Sequence, residues 1–484
     1  MSVDTLVGLL PYAATLVAVL LAIATSSHAV LYKRDPRAAF SWMGVIWLAP
    51  VVGPALYVLF GINRIQRRAV RLRRRRKRFD AAASPEVCTP EELHQALGPD
   101  HLHLLPLQRL GDHVIGRPLL EGNRVTPLVD GEQAYPDMLS AIEAAERSVC
   151  LLAYIFEKDS VGERFIQAIG RAVARGAKAR VLVDHVGGGG TLGATRRAFK
   201  AAGVPMEIFL PIRLPFRTRH MNLRNHRKIL VVDGRVGYTG GMNIRESHLV
   251  QAGSGHREHD VQFKLEGPVV EHLQQAFVDD WAFATGEVLR GEDWFPKLRA
   301  EGAVIARGIP FDPGEVNDSL RWTIAGSLSC ARRSARIVTP YFLPDQALIA
   351  ALNVAALRGV EVDILIPKVN DNPFVDWAMT ATLWQVLGGG CRVWRTRPPF
   401  DHTKVMVVDG AWVLLGSANF DPRSLRLNFE FNVECFDRTL AGGLESSILA
   451  KRDGAEEVTL RKVNGRRLVV KMRDGIARLF SPYL

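Results

Sequence analysis

HRKILVVDGRVGYTGGMN, residues 226–243, returns 176 residues later as HTKVMVVDGAWVLLGSAN, residues 402–419. A single His-x-Lys pair carries little information, but two copies with the same residues at the same spacing are very unlikely to arise by chance. The shared positions are His226 and His402, Lys228 and Lys404, Asp233 and Asp409, Gly240 and Gly416, and Asn243 and Asn419, with Gly241 in the first copy where the second has Ser417. The repeat therefore predicts a duplicated unit with a duplicated set of functional side chains.

Each copy predicts a strand that enters a tight turn. The runs KILVVDG and KVMVVDG are apolar, rich in β-branched residues and closed by Asp-Gly, a sequence typical of a hairpin turn. Because alternate residues of a strand point to the same face, His226 and Lys228 are expected to project together, as are His402 and Lys404.

The sequence before both copies has strand–helix–strand order. Residues 149–156 and 177–184 are predicted strands that flank an amphipathic helix at 162–176, and the same order recurs over 334–367. We therefore expect an α/β fold of two duplicated lobes, each a mixed sheet flanked by helices, that share one active site. The predicted boundaries are 79–125 for a linker with some local structure, 126–308 for the first lobe and 309–484 for the second.

The doubled set fits the chemistry of a phosphodiester. Its lysines and asparagines supply positive charge and hydrogen-bond donors for the non-bridging oxygens. One imidazole can attack phosphorus to form a phosphohistidine, and the other can protonate the leaving alcohol and then deprotonate the incoming one. This chemistry requires no metal or cofactor, and none is expected. The candidate catalytic residues are His226, Lys228, Asp233, His402, Lys404 and Asp409, and the candidate substrate-binding residues are Asn243, Asn419, Gly241 and Ser417.

The first 78 residues predict an α-helical transmembrane hairpin. No Lys, Arg, Asp or Glu occurs over 5–32 or over 38–63. As a helix, the shorter stretch would be roughly 39 Å long, which exceeds the hydrocarbon core of roughly 30 Å. Pro50, Gly53 and Pro54 fall in the middle of the second stretch, which leaves open a kinked or re-entrant path.

The distribution of charge indicates a membrane surface as the partner. Ten Lys and Arg residues lie at 64–78, against three in the turn between the apolar stretches. The positive-inside rule then places everything after the second stretch in the cytoplasm. Thirteen of the 62 basic residues but only two of the 50 acidic residues lie in the first 78, so the rest of the chain is nearly neutral. Anionic lipid is thus expected as partner, and nucleic acid is not.

Both motif copies resemble the signature of the phospholipase D superfamily, a doubled HxKxxxxD followed by Gly-Ser/Gly-x-Asn. The segments RDPRAAFSWMGVIWLAPVVGPALYVLFGINR, EHDVQFKLEGPVVEHLQQAFVDDW, NFDPRSLRLNFEFNVE and IARLFSPYL are similar to bacterial cardiolipin synthases of the two-span type. By this resemblance His226 would be the nucleophile and His402 the general acid and base. Asp260 and Glu430 would orient the two imidazoles by accepting their other ring proton. Asp233 and Asp409 would be buried supports of the turns, and Gly241 stands where the family more often has Ser.

The resemblance implies transfer of a phosphatidyl group between two phosphatidylglycerol molecules, giving cardiolipin and glycerol at the bacterial cytoplasmic membrane. Three other functions stay open at this stage. A hydrolytic phospholipase D would release phosphatidic acid, and a membrane-bound nuclease would use the same side chains on nucleic acid. A lipid-binding scaffold without catalysis would tolerate His226→Ala.

Overall fold

The computed structural model describes residues 3–33, 36–61, 87–211, 223–251, 257–313 and 318–481. The chain divides into two compact units, one formed by the N-terminal residues and one that contains the described residues from 87 onward. The basic run at 64–78 lies outside the described residues.

The N-terminal unit is a helical hairpin. Its helices are α1 (Val3–Tyr32), α2 (Pro36–Leu48) and α3 (Val52–Leu56), and α3 continues into one π-helical turn (Tyr57–Gly61). The stretch Pro11–Tyr32 is long and apolar enough to cross a membrane. The break between α2 and α3 lies at Pro50, so the second stretch is interrupted, which is one of the paths that the sequence left open. Because α2 alone would be about 20 Å long, less than the hydrocarbon core, two full spans stay a prediction.

The segment at 79–125, expected to be a linker, forms part of the folded unit where it is described. It contains α4 (Pro90–Leu97), a 3₁₀-helix (Pro99–Leu104) and α5 (Pro106–Ile115). Leu93, Leu104 and Leu107 are buried in the same core as the second lobe. The local structure expected there is present, but from 87 onward the segment packs into the core of the second lobe and does not form a separate linker.

The first half continues with alternating strands and helices. They are β1 (Leu120–Val129), α6 (Asp130–Glu143), β2 (Ser148–Ala153), α7 (Ser160–Ala174), β3 (Lys178–Asp184), α8 (His185–Gly188), α9 (Leu192–Ala201), β4 (Met206–Phe209), β5 (Ile229–Val232), β6 (Val236–Gly240), β7 (Glu258–His259), β8 (Val261–Glu266) and α10 (Val270–Thr285).

The second half repeats this order and adds elements at its end. They are β9 (Val304–Phe311), α11 (Ser319–Cys330), β10 (Ser334–Val338), α12 (Gln346–Leu357), β11 (Glu361–Pro367), α13 (Pro373–Thr380), α14 (Trp384–Leu387), β12 (Arg392–Thr396), β13 (Phe400–Asp401), β14 (Val405–Val408), β15 (Trp412–Gly416), α15 (Pro422–Arg426), β16 (Glu430–Phe436), α16 (Arg438–Asp453), β17 (Glu456–Val458), α17 (Leu460–Asn464) and α18 (Leu468–Leu479).

The two halves share one sheet. In the part of the chain that the structure describes, fifteen strands hydrogen-bond in the order β17-β12-β11-β10-β14-β15-β16-β9-β1-β8-β6-β5-β2-β3-β4. The order is symmetric about the antiparallel pair β9 and β1, apart from the additional edge strand β17. The predicted duplication and mixed α/β sheets are confirmed. The predicted lobe boundaries fall inside β1 and β9, so the repeat begins a few residues earlier in both halves.

Helices cover both faces of this sheet. One face of the first half packs on α6 and α7, and the matching face of the second half packs on α11 and α12. On the other face, one core contains residues of both halves, among them Leu152, Phe277, Leu365 and Leu444. A common core of this kind fixes the two halves rigidly, because interiors pack as densely as organic crystals.

Both motif hairpins form as predicted. β5 pairs with β6 and β14 with β15, all antiparallel. Asp233 and Gly234 have φ of 52° and 65°, and Asp409 and Gly410 have 52° and 62°. Positive φ at both turn residues is the type I′ hairpin that favours Asp-Gly.

Candidate active site

The residues before each motif strand pair with the opposite half of the protein. The N–H of His226 donates to the carbonyl of Phe429 at 2.9 Å, and that of His402 donates to the carbonyl of His259 at 2.7 Å. The short strand β13, which ends at Asp401, pairs in parallel with β7. Each histidine is therefore positioned by backbone hydrogen bonds to the other repeat.

Each imidazole also forms a hydrogen bond with a carboxylate of the other half. His226 Nδ1 lies 3.1 Å from both carboxylate oxygens of Glu430. His402 Nδ1 lies 2.9 Å from Asp260 Oδ2. Because a carboxylate only accepts, each Nδ1 carries the proton, and Nε2 is left with its lone pair. The histidines are only 8% and 7% exposed, so these bonds are made away from bulk water.

The two carboxylates differ in their remaining partners. Ser417 donates its hydroxyl to Glu430 at 2.5 Å, and Asn428 donates an amide hydrogen at 3.1 Å. Asp260 accepts instead from the N–H of Val261 at 2.8 Å. At Gly241, the position that matches Ser417, an added Cβ would lie 2.5 Å from Asp260 Oδ2. Gly241 and Ser417 thus contact the orienting carboxylates and do not line the cavity described below.

The motif lysines are buried next to the histidines. Lys228 Nζ donates to the carbonyl of His226 at 2.8 Å, and Lys404 Nζ makes the equivalent bond to His402. Lys228 Nζ also lies 5.2 Å from the centre of the Tyr154 ring, within the range of a cation–π contact. The same ring packs edge-on against His226 at 4.9 Å.

The motif aspartates lie at the far end of the strands from the imidazoles. Asp233 accepts backbone N–H bonds from Glu146, Arg147 and Ser148 at 2.7–3.0 Å. Asp409 accepts bonds from the N–H groups of Arg332, Arg333 and Ser334 at 2.7–2.8 Å, and a further bond from His103 Nε2 at 2.6 Å. Each aspartate thus connects its turn to the start of a neighbouring strand of the same half, β2 for Asp233 and β10 for Asp409. This geometry suits a structural support.

Burial sets the charge of the site. It lowers the pKa of His226 to about 4, with Glu430 opposing the shift, and lowers the pKa of His402 well below its usual value. Burial also lowers the pKa of Lys404 to about 8, against the attraction of Asp260 and Glu430. Both imidazoles are therefore neutral at neutral pH.

The pKa values of the two carboxylates are shifted in opposite directions. Burial raises the pKa of Asp260 to about 7. Burial would also raise the pKa of Glu430, but His226, Lys228 and the Ser417 hydroxyl hold it below its ordinary value. Glu430 is thus the more firmly ionised of the two, in agreement with its larger number of hydrogen-bond donors.

Both histidines open on one cavity of about 310 Å³. Of the predicted site residues, His226, His402, Asn243 and Asn419 line it. Asn243 Oδ1 accepts a bond from the N–H of Ile155 at 3.2 Å, whereas Asn419 Oδ1 has no protein partner among the described residues. The cavity can therefore present two imidazoles and two carboxamides to one ligand.

Sequence reasoning missed two arginines in this cavity. Arg224 and Arg423 line it together with the histidines. Arg224 Nη1 donates to the hydroxyl of Tyr154 at 3.0 Å, while its Nε has no protein partner among the described residues. Neither arginine belongs to the repeat, because the positions 176 residues away are Phe400 and Ser247. The one available signal for Arg224 was its position two residues before His226 in the sequence.

The other cations and anions at the cavity are engaged within the protein. Arg245 pairs with Glu258 at 2.5 Å, and Asp371 accepts the hydroxyl of Tyr341 at 2.7 Å. Asp421 caps α15 by accepting the N–H of Ser424 at 2.7 Å. Among the described residues, no group of three or more His, Cys, Asp or Glu side chains is arranged to hold a metal ion.

Comparisons with known proteins match this architecture. The family described as "Cardiolipin synthase, PLD-like domain" matches residues 138–281 and 324–450, ranges that include both motif copies. The family described as "Phospholipase_D-nuclease N-terminal" matches residues 16–61.

Whole-length relatives give the same result. The chain is 31% identical to a cardiolipin synthase of Geobacillus kaustophilus over 94% of this chain and 90% of that protein. It is 31% identical to cardiolipin synthase A of Pseudomonas entomophila over 96% of each chain. The crystal structure of a phosphatidylserine synthase from Haemophilus influenzae aligns with a TM-score of 0.61 at 15% identity and covers 78% of this chain and 100% of that one, which shows a common fold.

Proposed function

The chain belongs to the phospholipase D-like cardiolipin synthase family, and on this premise we propose that it transfers a phosphatidyl group from one phosphatidylglycerol to the terminal hydroxyl of another. Cardiolipin and glycerol are the products. The observation that carries the proposal is the convergence of His226 and His402 on one cavity, each with its own buried carboxylate.

In the first step, His226 Nε2 attacks the phosphorus of the donor lipid. A P–N bond forms, the P–O bond to glycerol breaks, and His402 gives a proton from its Nε2 to the leaving oxygen. Burial keeps His402 neutral by lowering its pKa, but an anionic phosphodiester in the cavity raises this pKa and favours proton uptake on binding.

In the second step, His402 takes the proton of the acceptor's terminal hydroxyl. The oxygen attacks phosphorus, the P–N bond breaks, and His226 is regenerated. Lys228, Lys404 and the carboxamides of Asn243 and Asn419 supply the charge and donors that stabilise the non-bridging oxygens. Asp260 and Glu430 act as positioning residues, since each fixes the proton of an imidazole on Nδ1.

Arg224 and Arg423 favour transfer over hydrolysis. The transfer product carries two phosphates, whereas capture of the phosphoenzyme by water needs only one phosphate site. The repeat supplies Lys228 and Lys404, which are buried beside the histidines and do not line the cavity. Arg224 and Arg423 add a cationic group that lines the cavity itself. Arginine binds phosphate oxygens in a fixed fork and so could hold the phosphate of the acceptor lipid.

The N-terminal apolar helix and the matching N-terminal family indicate association with a membrane. We place the catalytic unit on the cytoplasmic side of the bacterial inner membrane, because the basic residues at 64–78 follow the apolar stretches. Protease accessibility in inside-out vesicles tests this orientation.

The decisive experiment uses full-length protein in vesicles with glycerol-labelled phosphatidylglycerol. We expect equal amounts of cardiolipin and free glycerol from the wild type and neither from His226→Ala. Release of glycerol with phosphatidic acid and no cardiolipin would assign the protein to hydrolysis. Activity retained in His226→Ala would contradict the catalytic proposal altogether.

A further inference from the structure

The last helix, α18, exposes a continuous apolar face. Its side chains are 54–78% exposed and comprise Leu468, Val469, Met472, Ile476 and Leu479. At 100° per residue these positions fall within an arc of about 100° on the helix surface. Phe480, which follows the helix, is 49% exposed and packs in part against the ring of Phe374. An apolar face of this size at the surface of a folded unit indicates a binding partner.

The opposite face fixes the orientation of the helix. Asp474 and Ala477 are buried. Asp474 accepts bonds from Arg473 at 2.8 Å and from Arg466, and the Arg473 guanidinium lies 4.3 Å from the centre of the Trp377 ring on α13. The helix is therefore attached through its polar face, and the apolar face points away from the protein.

The charges around the apolar face are almost all positive. Arg467, Lys471 and Arg478 lie beside it, whereas Arg466 and Arg473 pair with Asp474, the one anion at 466–480, on the attached face. An apolar face flanked by cations is typical of helices that lie in the interface of an anionic bilayer. A second copy of this chain is a poorer partner, because a symmetric contact would bring identical cationic surfaces together.

We propose that α18 docks the catalytic unit on an anionic lipid bilayer, with Leu468, Val469, Met472, Ile476 and Leu479 inserted among the lipid chains. This contact is separate from the N-terminal apolar helix and from the basic residues at 64–78.

The docking helix is next to the active-site cavity. One helix, α13, connects them: Asn372 at its start and Val375 line the cavity, while Phe374 and Trp377 contact α18. The rings of Phe374 and Phe480 are 5.7 Å apart. Insertion of α18 would thus hold the cavity close to the lipid surface; the functional part of this argument rests on the proposed function.

A polarity-sensitive label on the full-length protein tests the docking directly. Ile476→Cys carries the label, in a background with Cys330→Ser, and Leu357→Cys is the matched control. Leu357 is also exposed and apolar. It ends helix α12, which precedes β11, whereas Asn372 at the cavity follows β11, so the two residues lie at opposite ends of that strand. In vesicles that contain phosphatidylglycerol, we expect the label at 476 to report an apolar environment and to be quenched by spin-labelled lipid chains. Equal, water-like signals at both positions would overturn the proposal.

A kinetic test separates docking from support of the active site. The variant Val469→Glu/Met472→Glu/Ile476→Glu should lose about tenfold or more of kcat/KM on vesicles and keep its activity on short-chain phosphatidylglycerol dissolved as monomers. Leu357→Glu should change neither. Equal losses on both substrates, or no loss on vesicles, would contradict docking. If the wild type makes no cardiolipin, the proposed function fails, but the label at 476 still reports whether α18 enters the bilayer.

Discussion

His402 donates its Nδ1 proton to Asp260, a residue that lies 142 positions earlier in the chain and in the other repeat. The bond is 2.9 Å long, and the Asp260 side chain is inaccessible to solvent. Glu430 makes the reciprocal bond to His226. Each motif histidine is thus positioned by a carboxylate of the opposite half.

Removal of either charge should abolish most of the activity without unfolding the protein. In Asp260→Asn and Glu430→Gln an amide replaces the carboxylate. Because its N–H can donate to Nδ1, it favours the imidazole tautomer that carries its proton on Nε2. We expect kcat to fall by about 10²- to 10⁴-fold, the range of a general acid or base, as measured by cardiolipin formation. Glu266→Gln, on the same strand β8 as Val261, is the control. Unchanged activity in both variants would remove the carboxylates from the mechanism.

A methyl group at residue 241 should disturb the site locally. In Gly241→Ala the new Cβ would lie 2.5 Å from Asp260 Oδ2, so Asp260 or its strand must move. A displacement near 1 Å at a reacting group can cost about 10²-fold in rate, and we expect a loss of this size. Gly442→Ala is the matched control, because its Cβ would meet nothing within 4 Å in α16. Similar activities for the two variants would show that Asp260 tolerates the shift.

The pH dependence should reveal Lys404. Its pKa is lowered to about 8 by burial, so the ammonium is charged below pH 8 and becomes neutral above it. We expect kcat/KM, which reports the free enzyme, to fall as the pH rises through about 8. Lys404→Arg keeps its charge at high pH and should lose this alkaline fall, although its maximum activity is lower. A fall at the same pH in the variant would assign it to another group.

The arginines of the cavity should decide what captures the phosphoenzyme. In Arg224→Gln/Arg423→Gln we expect the ratio of cardiolipin to phosphatidic acid to drop about tenfold or more, since one bidentate phosphate contact of 1.5–3 kcal/mol is lost. Glycerol release, which reports the first step, should fall much less. Arg426→Gln on the same helix α15 is the control, because Arg426 is exposed and pairs with Asp345 at 3.4 Å. An unchanged product ratio would argue against a second phosphate site.

Arg227 should be important for stability. It is buried, pairs with Asp280 at 2.7 Å and also contacts Asp312. Arg227→Leu leaves a buried carboxylate unpaired, and we expect the free energy of unfolding to fall by about 3–5 kcal/mol, seen as a lower Tm of the detergent-solubilised protein. Arg171→Leu breaks an exposed pair with Glu143 and should cost less than about 1 kcal/mol. Equal shifts in Tm for Arg227→Leu and Arg171→Leu would contradict the conclusion that the buried ion pair contributes more to stability than the exposed one.

The sequence pattern of neighbouring residues predicted those parts of the fold that depend on neighbouring residues alone. The Asp-Gly turns, the motif strands and the strand–helix–strand order follow from β-branched runs, amphipathic spacing and turn residues, and all are present. The break at Pro50 follows from the missing N–H of proline.

The sequence could not reveal what depends on distant partners. The family resemblance named Asp260 and Glu430 as the two carboxylates, but it did not state which imidazole each one serves, because they lie 142 and 204 residues from their histidines. Arg224 and Arg423 belong to no repeat, so their meeting in one cavity follows from the fold alone. His103 lies in a segment expected to be a linker, yet it bonds to Asp409 at 2.6 Å.

The exchange of carboxylates between halves makes them interdependent. Each half holds an imidazole whose acceptor lies in the other half, so neither half alone contains a complete set of hydrogen bonds around its histidine. A change near Asp260 therefore acts on the second motif, and a change near Glu430 acts on the first. Because a side chain at residue 241 would meet Asp260, its effect would reach His402 in the other half, and the two motifs form one interlocked unit and not two independent modules.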